Sequence, residues 1–238
     1  LTIRKIRRLI GASEERLKPV VRTAGVIARD GYRIEKLVIE GEDGFPLPSL
    51  LFVPDGELVK RPATIYADGR GKARDAGPGG ELENRVRAGH IVLSIDVRGF
   101  GETADRGSEK KFYNTEYRVA NLAMHLGRPL LGQRVDDILA AADMLAGRED
   151  VGPLHLVGIQ RAGPVALHAE ALDERFSSVT LRESIASWVD DVVGTPLTPD
   201  LFGHVVPGAL LKYDLPDLAK TIAPRKVVGL REPQGAEE

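Results

Sequence analysis

At 238 residues, 42% of them hydrophobic and 29% charged, the chain is long enough to bury one large core and reads as globular rather than disordered. Its 33 basic residues nearly balance 35 acidic ones, for a net charge of −2, which gives no electrostatic basis for binding nucleic acid or an anionic membrane. The absence of cysteine excludes disulfides, thiolate catalysis and cysteine–zinc sites, and no apolar run approaches the roughly 20 residues that span a bilayer.

The opening LTIRKIRRLIG puts Ile3, Ile6, Leu9 and Ile10 on one helical face and Arg4, Lys5, Arg7 and Arg8 on the other, so a short amphipathic helix packed on the domain is expected. The stretch begins at Leu1 and has no uninterrupted apolar core of signal type, which points to a chain that began inside a longer, multidomain polypeptide. Runs 34–40 and 47–53, joined by the glycine-bearing turn 41–44, read as a β-hairpin. PATIYADGRG is a buried strand ending in a glycine-rich loop, and 81–88 is a helix closed by Gly89. The continuous apolar run Ile91–Ile95 is what a parallel strand covered on both faces requires. Residues 104–131 are more polar, with one helix-like run near 116–126. In GQRVDDILAAADMLAG, Val135, Ile138, Leu139, Ala142 and Leu145 share a face, Asp136 and Asp137 lie near the start and Gly147 closes the helix. A strand at 154–159, a helix from Pro164 and a strand at 178–181 follow, and APRKVVGLREP supplies one more strand. This alternation predicts a single α/β domain over 1–238, with a mostly parallel central sheet, helices on both faces and an N-terminal β-hairpin.

YADGRG (66–71), DVRGFGET (96–103), VGIQRAG (157–163) and YDLPDLAKTIAPRKVVGL (213–230), in this order, resemble the α/β-hydrolase superfamily and, within it, the acetyl-xylan-esterase-like carbohydrate esterases. YADGRG (66–71) stands where the loop after the family's third strand donates to an oxyanion hole. DVRGFGET (96–103) resembles the D-x-R-G-x-G segment after the fourth strand. VGIQRAG takes the place of the G-x-S-x-G elbow, from Gly158 to Ala162 with Gly163 after it. YDLPDLAKTIAPRKVVGL (213–230) resembles the approach to the seventh strand.

The elbow works because a serine on a tight strand-to-helix turn projects its oxygen over the sheet edge, while the next backbone N–H faces the developing oxyanion. Here the nucleophile position is Gln160, whose amide cannot form an acyl-enzyme. The resemblance implies an oxyanion-hole region at Arg161, Gly69 and Arg70, and makes Glu183 and Glu232 candidate relics of the catalytic acid. The family's last strand and the histidine after it have no counterpart in this sequence. His90, His155 and His168 read as structural, whereas His125 and His204 fall where they could approach a cleft. The resulting expectation is a catalytically silent esterase-like domain that packs against, or holds substrate for, another domain or chain of the same esterase. Two alternatives stay open. One is an active carboxylesterase with a displaced nucleophile, Ser94 or Ser187, and a displaced base. The other is a carbohydrate- or uronate-binding module using Arg161 and Arg70, with Trp188, His125 and His204 as further contacts. For Arg161 a salt bridge to a nearby acid is the simpler expectation. No metal-site spacing, phosphate loop or dinucleotide fingerprint is present, because Lys72 is followed by Ala73 and DVRGFG opens no G-x-G-x-x-G helix, so no cofactor is expected. If the polysaccharide-esterase resemblance holds, it implies export.

Overall fold

Helix α1 (Ile3–Ile10) forms as its periodicity predicts: Ile6 and Ile10 are fully buried, and Ile3 and Leu9 pack at the margin of the same cluster. A computed structural model describes residues 2–41, 43–104, 115–195 and 199–231. Eight strands build one sheet: β1 (Val20–Arg29), β2 (Tyr32–Glu40), β3 (Pro46–Pro54), β4 (Arg61–Asp68), β5 (Ile91–Ile95), β6 (Val151–Ile159), β7 (Phe176–Arg182) and β8 (Lys226–Val228). Their order is β1-β2-β3-β5-β4-β6-β7-β8. Pairings from β1 through β3 to β5 are antiparallel, and those among β4, β5, β6, β7 and β8 are parallel. The hairpin of the sequence is β2–β3, and β1 is an additional strand ahead of it. The strand numbers therefore run one ahead of the family count used above, and β8 takes the family's seventh place.

The central strands are apolar on both faces because both are covered. Residues such as Ile65, Leu93 and Leu156 point into the larger core under α1, α4 (Leu130–Ala146), α5 (Gly163–Leu172) and α6 (Leu215–Ile222). Their neighbours Tyr66, Val92 and Val157 point the other way, toward Leu82 and Val86 of α2 (Glu81–Arg87). α3 (Thr115–His125) packs through Ala120 and Ala123 against Leu130 and Phe202. Gly132, in the first turn of α4, lies against the end of α1 so closely that a Cβ there would overlap the Ile10 carbonyl oxygen. Among the described residues no helix is long and apolar enough to cross a membrane.

Candidate functional site

β6 is central, flanked by β4 and β7, and ends at Ile159. Residues Gln160–Ala162 make a single 3₁₀ turn and α5 begins at Gly163, with Pro164 in its first turn. Turning the chain in so few residues forces Gln160 to a left-handed φ of 53°. The turn closes because its neighbours are small. A Cβ on Gly158 would lie 2.7 Å from Ala166 Cβ and 2.9 Å from the Ala162 carbonyl oxygen, and one on Gly163 would overlap the Ser184 hydroxyl. Glu183, just beyond β7, has φ 51°, and Gln160 and Glu183 are the two non-glycine residues with positive φ among those described. They meet: Gln160 Nε2 donates to Glu183 Oε2 at 3.2 Å, and Arg70 Nη1 lies 3.5 Å from the same oxygen. A non-glycine residue held in this region costs about 1–2 kcal/mol, so two in contact mark a place that the fold strains to keep.

The loop after β4 comes close enough to serve an oxyanion, since a Cβ on Gly69 would lie 3.0 Å from the Arg161 backbone nitrogen. Its donors, however, are turned inward. The Gly69 N–H donates to the Ile159 carbonyl at 3.1 Å. The Arg70 N–H donates to Asp68 Oδ1 at 2.8 Å, and the Arg70 guanidinium grips the same carboxylate through Nε at 2.9 Å and Nη2 at 2.7 Å. Asp68, buried at the end of β4, was not a sequence candidate, although an Asp two residues before an Arg across a tight loop is a geometry that permits this pairing. Arg161 Nη2 donates to the Gly69 carbonyl at 2.9 Å, and its Nη1 lies 3.5 Å from Glu116 Oε2, matching the expected salt bridge. Glu116 in turn takes a two-point ion pair from the fully buried Arg134 at 2.9 and 2.8 Å, and both guanidiniums stand over the Phe100 ring. Phe100 belongs to DVRGFGET. Its loop is pinned by Asp96, which accepts from the Lys72 backbone at 2.6 Å, Lys72 Nζ at 2.8 Å and the Glu102 backbone at 3.0 Å. Neither Glu116 nor Arg134 was singled out by motif, because a helix-borne pair 18 positions apart leaves no local signature.

The remaining candidates scatter. His125 is exposed at the end of α3, within the helix-like run expected near 116–126. His204 is buried, and burial, aided by the positive charges of Arg134 and Arg161, pushes it down to about 3, so it is neutral near pH 7. His168, inside α5, is pushed down to about 4 by burial and joins the Pro164 carbonyl (2.6 Å) to the Tyr213 hydroxyl (2.9 Å). Trp188 packs against this pair at a tilt, its ring 5.7 Å from that of His168 and 5.4 Å from that of Tyr213. The Ser94 hydroxyl is buried and donates to the Lys72 carbonyl at 2.9 Å. Ser187 Oγ donates to Asp214 at 2.6 Å. Neither serine is among the bonding partners of the histidines. Glu232 lies outside the described residues. Among the described residues no group of three His, Asp or Glu side chains could hold a metal.

Sheet order and elbow together define the α/β-hydrolase fold. No family model matches the chain, and no curated protein matches it by sequence. Solved structures with the same fold include a protein assigned as an acetyl xylan esterase from Bacteroides fragilis NCTC 9343, with TM-score 0.79 and 17% identity over 94% of this chain and 65% of that one. Acetyl xylan esterase 1 from Thermoanaerobacterium sp. JW/SL YS485 gives TM-score 0.65 and 18% identity over 92% of this chain and 71% of that one. A glucuronoyl esterase from Solibacter usitatus gives 0.62 and 15% over 94% and 72%. The fold is thus that of carbohydrate esterases, and the chain spans about two thirds of the length of these structures.

Proposed function

We propose that this chain is a carbohydrate-esterase-like unit that carries out no acyl transfer and serves as a structural or substrate-holding part of a larger esterase. Its partner on this reading is another domain or chain of that esterase, and any carbohydrate ligand is held without a covalent step. The observation that carries the reading is the Gln160–Glu183 hydrogen bond: the elbow keeps its turn, but the side chain at its apex is an amide tied to an acid. The inward-turned Gly69 and Arg70 N–H groups support it, because an oxyanion would have to displace protein acceptors to reach them. Among the described residues no histidine bonds to Gln160 or Glu183.

The test is hydrolysis of p-nitrophenyl acetate and acetylated xylo-oligosaccharides, with serine-directed phosphonate labelling alongside. Wild type is expected to stay at background and unlabelled. Gln160→Ser supplies an oxygen without a base, and is expected to give at most a single-turnover signal. Multiple turnover by either protein, or stoichiometric labelling of Ser187 or Ser94, would overturn the proposal.

A further inference from the structure

Asp–Gly pairs occur four times in the chain, at 30–31, 43–44, 55–56 and 68–69. At such a pair a main chain can rearrange. The glycine nitrogen gives up its proton and attacks Cγ of the protonated aspartate carboxyl. A C–N bond forms, the proton and the carboxyl's hydroxyl leave as one water, and a five-membered succinimide results. Water then adds to either ring carbonyl. Opening at the former peptide carbonyl leaves the chain running through the aspartate Cβ and Cγ, an isoaspartyl linkage of unchanged mass with one methylene more in the backbone. No co-reactant except water is consumed or released. Glycine admits the attack because it carries no side chain to obstruct it. What remains to be met is freedom: the carboxyl must turn onto the nitrogen, and the nitrogen must be clear of its own hydrogen bond.

The fold treats the four pairs differently. Asp68 is buried and gripped by the Arg70 guanidinium and backbone, and the Gly69 N–H donates to the Ile159 carbonyl. Asp43 accepts from the Phe45 N–H at 3.1 Å and pairs with Arg98 Nη2 at 2.8 Å, while the Gly44 N–H donates to the Gly41 carbonyl at 3.1 Å. Charge-assisted bonds of this kind must open before either carboxyl can turn. Asp30 and Asp55 are exposed, and among the described residues neither their carboxylates nor the N–H groups of Gly31 and Gly56 have a hydrogen-bond partner. Asp30–Gly31 is nevertheless the two-residue tip of the β1–β2 hairpin, closed by the pairing of Arg29 with Tyr32, and its Gly31 carbonyl accepts from the Asp55 N–H at 3.0 Å. Asp55–Gly56 lacks that closure. It opens the segment 55–60, exposed throughout, which leaves β3 and rejoins the sheet at Arg61, and a Cβ on Gly56 would have nothing within 4 Å. We propose that Asp55–Gly56 is a modification site at which the folded chain converts aspartate to isoaspartate, while Arg98 and Arg70 hold Asp43 and Asp68 back from the same reaction. The inference does not rest on the silence of the elbow.

The whole chain is held at 37 °C and pH 7.4 for several weeks, once folded and once in concentrated urea. Isoaspartate is located by electron-transfer fragmentation of the digested protein, which breaks the added backbone bond. It is quantified by methyl transfer to the new α-carboxyl by an isoaspartyl methyltransferase. In the folded chain isoaspartate is expected mainly at residue 55, at least about tenfold above residues 43 and 68, with a transient form one water lighter. In urea the restraints are gone, and the four pairs are expected to react at similar rates. Asp55→Glu is an exposed change whose longer side chain would have to close a six-membered ring, and it is expected to lose the folded-state signal. No isoaspartate at residue 55 of the folded chain would overturn the proposal. So would residue 43 or 68 reacting as fast as residue 55, residue 30 exceeding it, or the same ranking of sites in urea as in the folded chain. The wild-type comparison decides the matter whatever the variant does.

Discussion

Gln160 combines a left-handed φ of 53° with a side-chain hydrogen bond to Glu183. A left-handed φ in a strand-to-helix turn carries a steric penalty for any residue with a Cβ. Substitution here is therefore governed by φ. Gln160→Gly removes the steric penalty at the cost of extra freedom in the unfolded chain, and is expected to fall between neutral and about 1 kcal/mol more stable than wild type. Gln160→Val, β-branched and ill-suited to this region, is expected to lose about 1–2 kcal/mol. Urea unfolding of the three proteins checks the order, and a Val variant as stable as the Gly variant would mean the turn is relaxed. At this scale the sequence was legible in the strand–turn–helix order: Gly158 lies at the end of β6, Gln160 and Arg161 in the 3₁₀ turn, and Gly163 opens α5. It was not legible where a guanidinium chooses among acids brought together only by folding. Arg161 could have met any of several carboxylates, and one that it meets, Glu116, is held mainly by the buried Arg134.

Elements were read best where burial is strong. α1 shows the apolar stripe that its sequence predicts, and β5 is buried along its whole length, with Ser94 its one polar residue. β1 was missed for a physical reason. Its residues are exposed on both faces save two, so burial imposes no alternation on VVRTAGVIAR, and only its β-branched content hints at a strand. The contact between α1 and α4 gives a sharp test of how helices are seated. Gly132 leaves room for the Ile10 carbonyl, and nothing smaller than a backbone shift can admit a methyl group there. Gly132→Ala would raise helix propensity in isolation, but it is expected to destabilise the domain by about 1–3 kcal/mol. Backbone amides of residues 3–10 should then exchange faster with solvent than in wild type. Unchanged exchange together with higher stability would show that α1 rides on α4 more loosely than the distances say.

Acidification acts on the molecule as a whole through groups whose shifts oppose one another. His168 and His204 are pushed down to about 4 and about 3 by burial, so the native state binds fewer protons than the unfolded chain. Their contribution is full above about pH 6.5 and is lost as pH falls toward those values, by up to about 2 kcal/mol each on reaching pH 5. Glu170, fully buried on α5 beside Arg225, is raised to about 7 by burial. Here the native state binds more protons between the ordinary carboxylate range and pH 7, so this group favours folding increasingly as pH falls through that window. The two effects partly cancel in the wild type. Glu170→Gln removes only the second, and its unfolding free energy is expected to drop more steeply than wild type between pH 7 and pH 5, by about 1–2 kcal/mol. Parallel slopes in urea titrations at pH 5, 6 and 7 would contradict the assignment.

The β1 rim of the sheet bears on how such molecules crowd together. β1 offers a ten-residue flank studded with exposed Val20, Val21 and Val26, the kind of ribbon on which another strand can crystallise. Its ladder to β2 slips between Thr23 and Gly25, which kinks the flank midway, and Arg22 beside the kink reaches across to Glu40. A stranger's strand laid along β1 therefore meets a template bent at its midpoint, on which only half the flank can pair in register.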